Sequence, residues 1–122
     1  MADKYPNFRT LARHERAGVD YRFVLRLGVP ALAVVTPHGG GIEPGTSEIA
    51  DAVAGDDFSF YAFEGLKASD NGDLHITATR FDEPDCLALF KASTTVLTIH
   101  GEHTEAEKGR EAGEGADLFN HL

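Results

Sequence analysis

His38, Glu43 and His100 are the residues of this chain whose types and spacing could do chemistry. A hydrolytic zinc site takes three protein ligands and keeps a fourth position for water, and two imidazoles with one carboxylate are a frequent set. His38 and Glu43 share one glycine-rich stretch, Pro37-His38-Gly39-Gly40-Gly41-Ile42-Glu43, while His100 lies far along the chain. That is the expected layout, because a loop fixes two ligands and the fold delivers the last. The three glycines carry no side chain to shield the imidazole and the carboxylate, and their free backbone lets both turn toward one point. On residue types alone, a metal triad and a set of structural histidines both remain open. Arg80 is the candidate to hold a substrate carboxylate or steady a developing oxyanion, against an ordinary ion pair with Asp82 or Glu83.

The elements that must position these residues follow from pattern. Tyr21 to Leu27 and Ala31 to Thr36 read as strands rich in branched and aromatic residues, separated by Gly28 and Pro30. The second is nearly all apolar, as an interior strand covered on both faces should be. After the glycine loop, Thr46 or Ser47 can cap a helix that runs to about Ala54 and stops at Gly55. Phe58 to Phe63 is a further strand. Asp70-Asn71-Gly72-Asp73 marks a turn, and Leu74 to Thr79 alternates as a strand would. Asp82-Glu83-Pro84 opens a helix reaching about Ala92, and Thr94 to Ile99 returns as a strand ending at His100. Strands alternating with short helices imply an α/β fold, a mixed sheet with parallel core strands flanked by short helices. In such sheets, sites collect at the carboxyl ends of the strands, where His38 and His100 both fall.

The boundaries expected are one α/β domain over residues 1–101 and an acidic Gly/Glu-rich tail over 102–122, mobile or a frayed helix. A formal charge of −9, from 20 acidic against 11 basic residues, excludes nucleic acid as a natural partner, since phosphate neutralisation needs clustered Lys and Arg. No stretch approaches the ~18 apolar residues of a membrane helix, and the start has no apolar signal region, which places the chain in the cytoplasm. The single cysteine, Cys86, forms no internal disulfide, which agrees with a reducing compartment. A nucleotide loop is not read at Gly40 to Gly45: Thr46 stands where the lysine should be, and Glu43 puts negative charge where phosphate would sit. Pro44 likewise displaces the last glycine of a dinucleotide fingerprint.

Four segments in order carry a further likeness. They are Pro37 to Ala50 (Pro-His-Gly-Gly-Gly-Ile-Glu-Pro-Gly-Thr-Ser-Glu-Ile-Ala), Asp57 to Lys67, Asp73 to Pro84 and Thr98-Ile-His-Gly101. With His14 to Arg22 before them, they resemble the phage-associated poly-γ-glutamate hydrolase family over most of residues 5–101. The resemblance implies a zinc peptidase with a carboxypeptidase-like α/β fold, incomplete here at the C-terminus. It implies Zn2+ held by His38, Glu43 and His100, an anionic γ-glutamate polymer as substrate, and release on phage lysis. The base that takes the water's proton in such enzymes comes from the C-terminal part of the fold. The alternative it leaves is a truncated relative that binds zinc or a partner without turnover, as a monomer or weakly self-associated through an uncovered sheet edge.

The remaining candidates read as structural. His75, inside the expected strand, is read as a buried hydrogen-bonded histidine ahead of a ligand. Lys67 is read as a solvated loop lysine ahead of a polyanion contact. Cys86 is read as a buried inert thiol. Phe58, Phe60 and Phe63 are read as core.

Overall fold

A computed structural model describes residues 2–101 and the backbone of 117–120. The elements are α1 (Phe8–His14), β1 (Tyr21–Arg26), β2 (Val29–Gly40), α2 (Thr46–Ala54), β3 (Phe58–Gly65), α3 (Pro84–Ala92), β4 (Thr95–Thr98) and β5 (Asp117–Asn120). One sheet runs in the order β1-β3-β2-β4-β5. β2 pairs in parallel with both β3 and β4, while β1 and β5 close the outer sides antiparallel. This is the mixed α/β sheet with parallel core strands that the sequence implies.

Both faces of the core strands are covered, which is why β2 reads as a continuous apolar run. Ala33, Val35, Tyr61, Phe63 and Val96 point to one face, packed with Leu11 of α1 and with Cys86 and Leu89 of α3. Val34, Phe60 and Ala62 point to the other, against Ala50 and Ala54 of α2. The alanines let α2 lie close on the sheet. Phe60 and Phe63 are core, as expected, though on opposite faces.

Leu74 to Thr79 is not a strand but two 3-10 turns, Asn71–Leu74 and Ala78–Arg80, joined by an extended link. Its alternation is real, since Leu74 and Ile76 are buried, but β3 and β4 already occupy both sides of β2. Side chains take the backbone groups a ladder would use: the Thr77 amide donates to Asp3, and the Ile76 carbonyl accepts from His38. The helix from Thr46 to Ala54 is capped by Gly45 at φ 95°, not by a hydroxyl. Thr46 and Ser47 instead fasten the preceding segment: Thr46 Oγ1 donates to the His38 and Glu43 carbonyls, and Ser47 Oγ accepts from the Gly40 amide. Helix α1 carried no apolar period long enough to read; Asn7 caps it by accepting from the Thr10 amide.

Inside the expected tail, Asp117–Asn120 forms a strand, with an apolar Leu118-Phe119 pair in an otherwise polar stretch. It pairs antiparallel with the outer backbone edge of β4. The rest of 102–122 lies outside the described residues.

Candidate metal centre

His38 sits in β2, which runs through Gly40, rather than in a loop after it. Between the pairs Thr36↔Ala62 and Gly39↔Glu64, β2 holds one residue more than β3. Pro37 has no amide to donate there, and a bulge of this kind re-aims a side chain. The ring turned by it is that of His38, at the carboxyl end of the strand.

The glycines after it serve close packing more than ligand freedom. A Cβ on Gly40 would lie 2.6 Å from the Gly65 carbonyl oxygen, and one on Gly41 would lie 2.3 Å from the Asn71 amide nitrogen. Gly40 also has φ +59°, a left-handed conformation that glycine adopts without penalty. The chain can therefore turn tightly against the end of β3 and bring Glu43 back beneath His38.

His38 is 2% exposed and Glu43 4%. The ring nitrogen Nε2 lies 2.6 Å from the Ile76 carbonyl, which can only accept, so Nε2 carries the proton. In the neutral ring Nδ1 is then a lone pair, and it is buried with no hydrogen-bond partner among the described residues. Glu43 Oε1 stands 3.3 Å from it. Facing the neutral ring, that approach sets two acceptors against each other in a buried site. Such an arrangement is unfavourable unless a cation lies between them. Glu43 Oε1 is itself held in place by the Gly101 amide at 2.8 Å.

His75, which the sequence reading set aside, stacks on His38 with ring centroids 4.0 Å apart. It is half-buried, not the buried strand residue expected. Its Nδ1 lies 2.8 Å from Asp3 Oδ1, and its Nε2 lies 3.7 Å from Glu43 Oε2. Donor atoms of His38, Glu43 and His75 all fall within 4.8 Å of one another, a grouping that could hold a metal ion. His100, just past β4, has its ring 5.7 Å from that of His38 and stands beside this group. Nothing in the sequence marked Asp3, which reaches the site from the start of the chain.

Asp3 also accepts from the Thr77 amide at 2.6 Å and from its hydroxyl at 2.8 Å. Burial raises the Asp3 carboxyl, but the bonds from Thr77 and His75 outweigh it and hold it below the usual carboxylate value.

Arg80 ends the second 3-10 turn, exposed, and among the described residues it forms no ion pair with Asp82 or Glu83. Those two are engaged elsewhere: Asp82 accepts from the Phe8 amide, and buried Glu83 accepts from Tyr61 and from the first amides of α3. Lys67 is neither solvated nor aimed at the site; its ammonium lies 2.8 Å from Glu15. Burial pushes the Cys86 thiol up, which keeps it inert.

YndL of Bacillus subtilis (strain 168) is 41% identical over 125 residues, covering 98% of this chain and 48% of that protein. The SPbeta prophage-derived protein YoqZ of the same organism is 41% identical over 100 residues, covering 82% and 36%. The chain thus spans about half or less of the length of these relatives. A structure of bacteriophage poly-gamma-glutamate hydrolase superposes with a TM-score of 0.77 at 36% identity, covering 83% of this chain and 49% of that one. The zinc-free apo form of YndL gives 0.79 at 43% identity, covering 85% and 50%. The profile of the poly-gamma-glutamate hydrolase family matches residues 5–122, so the likeness reaches past Gly101 to the end of the sequence, and the chain belongs to that family.

Proposed function

We propose that this chain carries a zinc centre of a hydrolase that cleaves γ-glutamyl amide bonds in a γ-glutamate polymer. The observation that carries the reading is the pair of facing acceptors, His38 Nδ1 and Glu43 Oε1, 3.3 Å apart in a buried site. A relative solved in a form named for lacking zinc supports the choice of metal. His38 and Glu43 are the first two ligands, and His100 completes the set from the end of β4. Bound zinc would lower the pKa of its water toward ~7 and polarise the scissile carbonyl.

The residues around it orient rather than react. Ile76 fixes the His38 tautomer through its carbonyl, and the Gly101 amide fixes the Glu43 carboxylate. We assign exposed Arg80, on the segment that follows His75, the role of holding carboxylates of the anionic polymer.

Metal analysis of the purified chain with γ-polyglutamate depolymerisation tests this. About one equivalent of zinc is expected, lost in His38→Ala together with depolymerisation. No zinc in the parent chain would remove the reading. One observation favours a second reading, metal binding without turnover. Among the described residues, the carboxylate near the site other than Glu43 is Asp3, and both its oxygens already accept from His75 and Thr77. Zinc at one equivalent without depolymerisation would select that reading.

A further inference from the structure

We propose that Arg9 and Arg13 on α1, continuing from Arg80, form a carboxylate-binding track that seats the anionic polymer beside the metal centre. This rests on the substrate proposed above. With 20 acidic against 11 basic residues, the protein repels a polyanion unless a local positive surface receives it. Lys4, Arg22, Arg26 and Lys67 are already held by Asp73, Glu64, Asp51 and Glu15. Arg9, Arg13 and Arg80 are exposed, and among the described residues their side chains form no ion pair or hydrogen bond.

Tertiary contacts bring α1 to the same end of the sheet as the site. Asp3 reaches His75 and Thr77, and the Phe8 amide at the start of α1 donates to Asp82 at 2.9 Å, so the two segments run side by side. Arg9 thus follows the contact at Asp82, and Arg80 precedes it. At the other end of α1, Glu15 takes the Lys67 ammonium at 2.8 Å, just past the carboxyl end of β3. Leu11 is the buried residue of the helix, and Arg9 and Arg13 stand nearly opposite it, facing solvent. The carboxylates along α1 are engaged elsewhere: Asp82 by the Phe8 amide, Glu15 by Tyr5 and Lys67, and Asp20 by the Arg16 amide. Along the helix axis, Arg9 and Arg13 are about 6 Å apart. A γ-linked residue adds two methylenes to the roughly 3.5 Å span of an α-linked one, which brings successive carboxylates to about 6 Å as well. One turn of α1 therefore matches one repeat of the polymer, and each guanidinium can take a carboxylate through paired donors.

NMR of the arginine side-chain Nε–H groups in the isotope-labelled wild-type chain, titrated with a short γ-glutamate oligomer, tests the track without any substitution. Shifts at Arg9, Arg13 and Arg80 are expected, with Arg22 and Arg26 unmoved. Shifts at Arg80 with none at Arg9 and Arg13 overturn the track and leave the proposed hydrolase standing. Shifts at none of the three overturn the track together with the proposed substrate, while zinc analysis still decides the metal centre. Fluorescence anisotropy of a labelled oligomer should then show affinity reduced roughly 3- to 30-fold in Arg9→Gln with Arg13→Gln, at unchanged zinc content. The pair Arg26→Gln with Lys91→Gln removes the same charge elsewhere on the surface and should leave affinity unchanged. Equal losses in the two pairs would make the effect one of net charge and overturn the track.

Discussion

Replacing His38 by leucine separates the cost of the site from its use. In chelator, the substitution removes a buried lone pair with no donor, which relieves about 1–3 kcal/mol of unmade hydrogen bonding. It also removes the 2.6 Å bond from Nε2 to the Ile76 carbonyl, a loss of about 0.5–1.5 kcal/mol. Leucine fills a comparable volume against a strand already buried on both faces, so the metal-free variant should stay within about 1–2 kcal/mol of the parent. With zinc at about 100 times its dissociation constant, the parent gains about 2.7 kcal/mol and the variant gains nothing. At roughly 4 °C per kcal/mol for a domain of this size, that is a shift of about 10 °C in Tm. Urea unfolding and thermal melts, each run in chelator and in zinc, read both numbers. A loss above about 4 kcal/mol in chelator would make His38 a structural histidine. Equal zinc stabilisation of parent and variant would refute the facing-acceptor argument itself.

Gly40→Ala should lose about 3 kcal/mol or more by urea unfolding, since it combines left-handed strain with a Cβ 2.6 Å from the Gly65 carbonyl and weakens the Gly41 bond to that oxygen. Glu83→Ala removes the cap of α3 and the acceptor of the buried Tyr61 hydroxyl, and a loss of about 2–4 kcal/mol without change in zinc affinity is expected. The Tyr5–Glu15–Lys67 cluster sets two pH limits on stability. Burial raises the Glu15 carboxyl but Lys67 and Tyr5 lower it further, so its contribution is present above 4.5 and fades as pH falls through the lowered value. Burial and the bond to Glu15 push Tyr5 up to about 12, so its contribution is full below 10.0 and fades as pH rises through about 12. Tm measured against pH should fall at both limits, and Tyr5→Phe should remove the alkaline one; an unaltered alkaline limb would count against this assignment.

The core strands and α2 and α3 were legible because each announces itself locally, in branched residues bounded by Gly, Pro and acidic starts. Residues 74–79 were misread because alternation reports burial and not pairing: Leu74 and Ile76 face the core whether or not a ladder exists. For the site, the sequence offered His38 and Glu43, joined by a short tight segment, together with the distant His100. His75 looked like one more histidine between two apolar residues. Its significance depends on Asp3, which lies 72 positions away and reaches it through tertiary packing alone. The three glycines were visible, but their reason was not, since the Gly65 and Asn71 atoms they make room for belong to other elements.

These corrections bear on how binding and folding are joined here. The apolar core lies between the strands and their helices, and the site lies beyond it, held by side-chain and backbone bonds from four separate segments: Asp3, Ile76, Gly101 and the hydroxyls of Thr46 and Ser47. Each of those bonds points an acceptor inward or pins the backbone that carries one. In a metal-free chain, such convergence opposes folding locally, because it desolvates His38 Nδ1 without giving it a hydrogen-bond partner among the described residues. The apolar burial of the sheet is what tolerates it, and a bound cation turns the same convergence into a stabilising one. On the proposed metal reading, the local instability is the structural form that affinity for a metal takes when the ligands are assembled before the ion arrives.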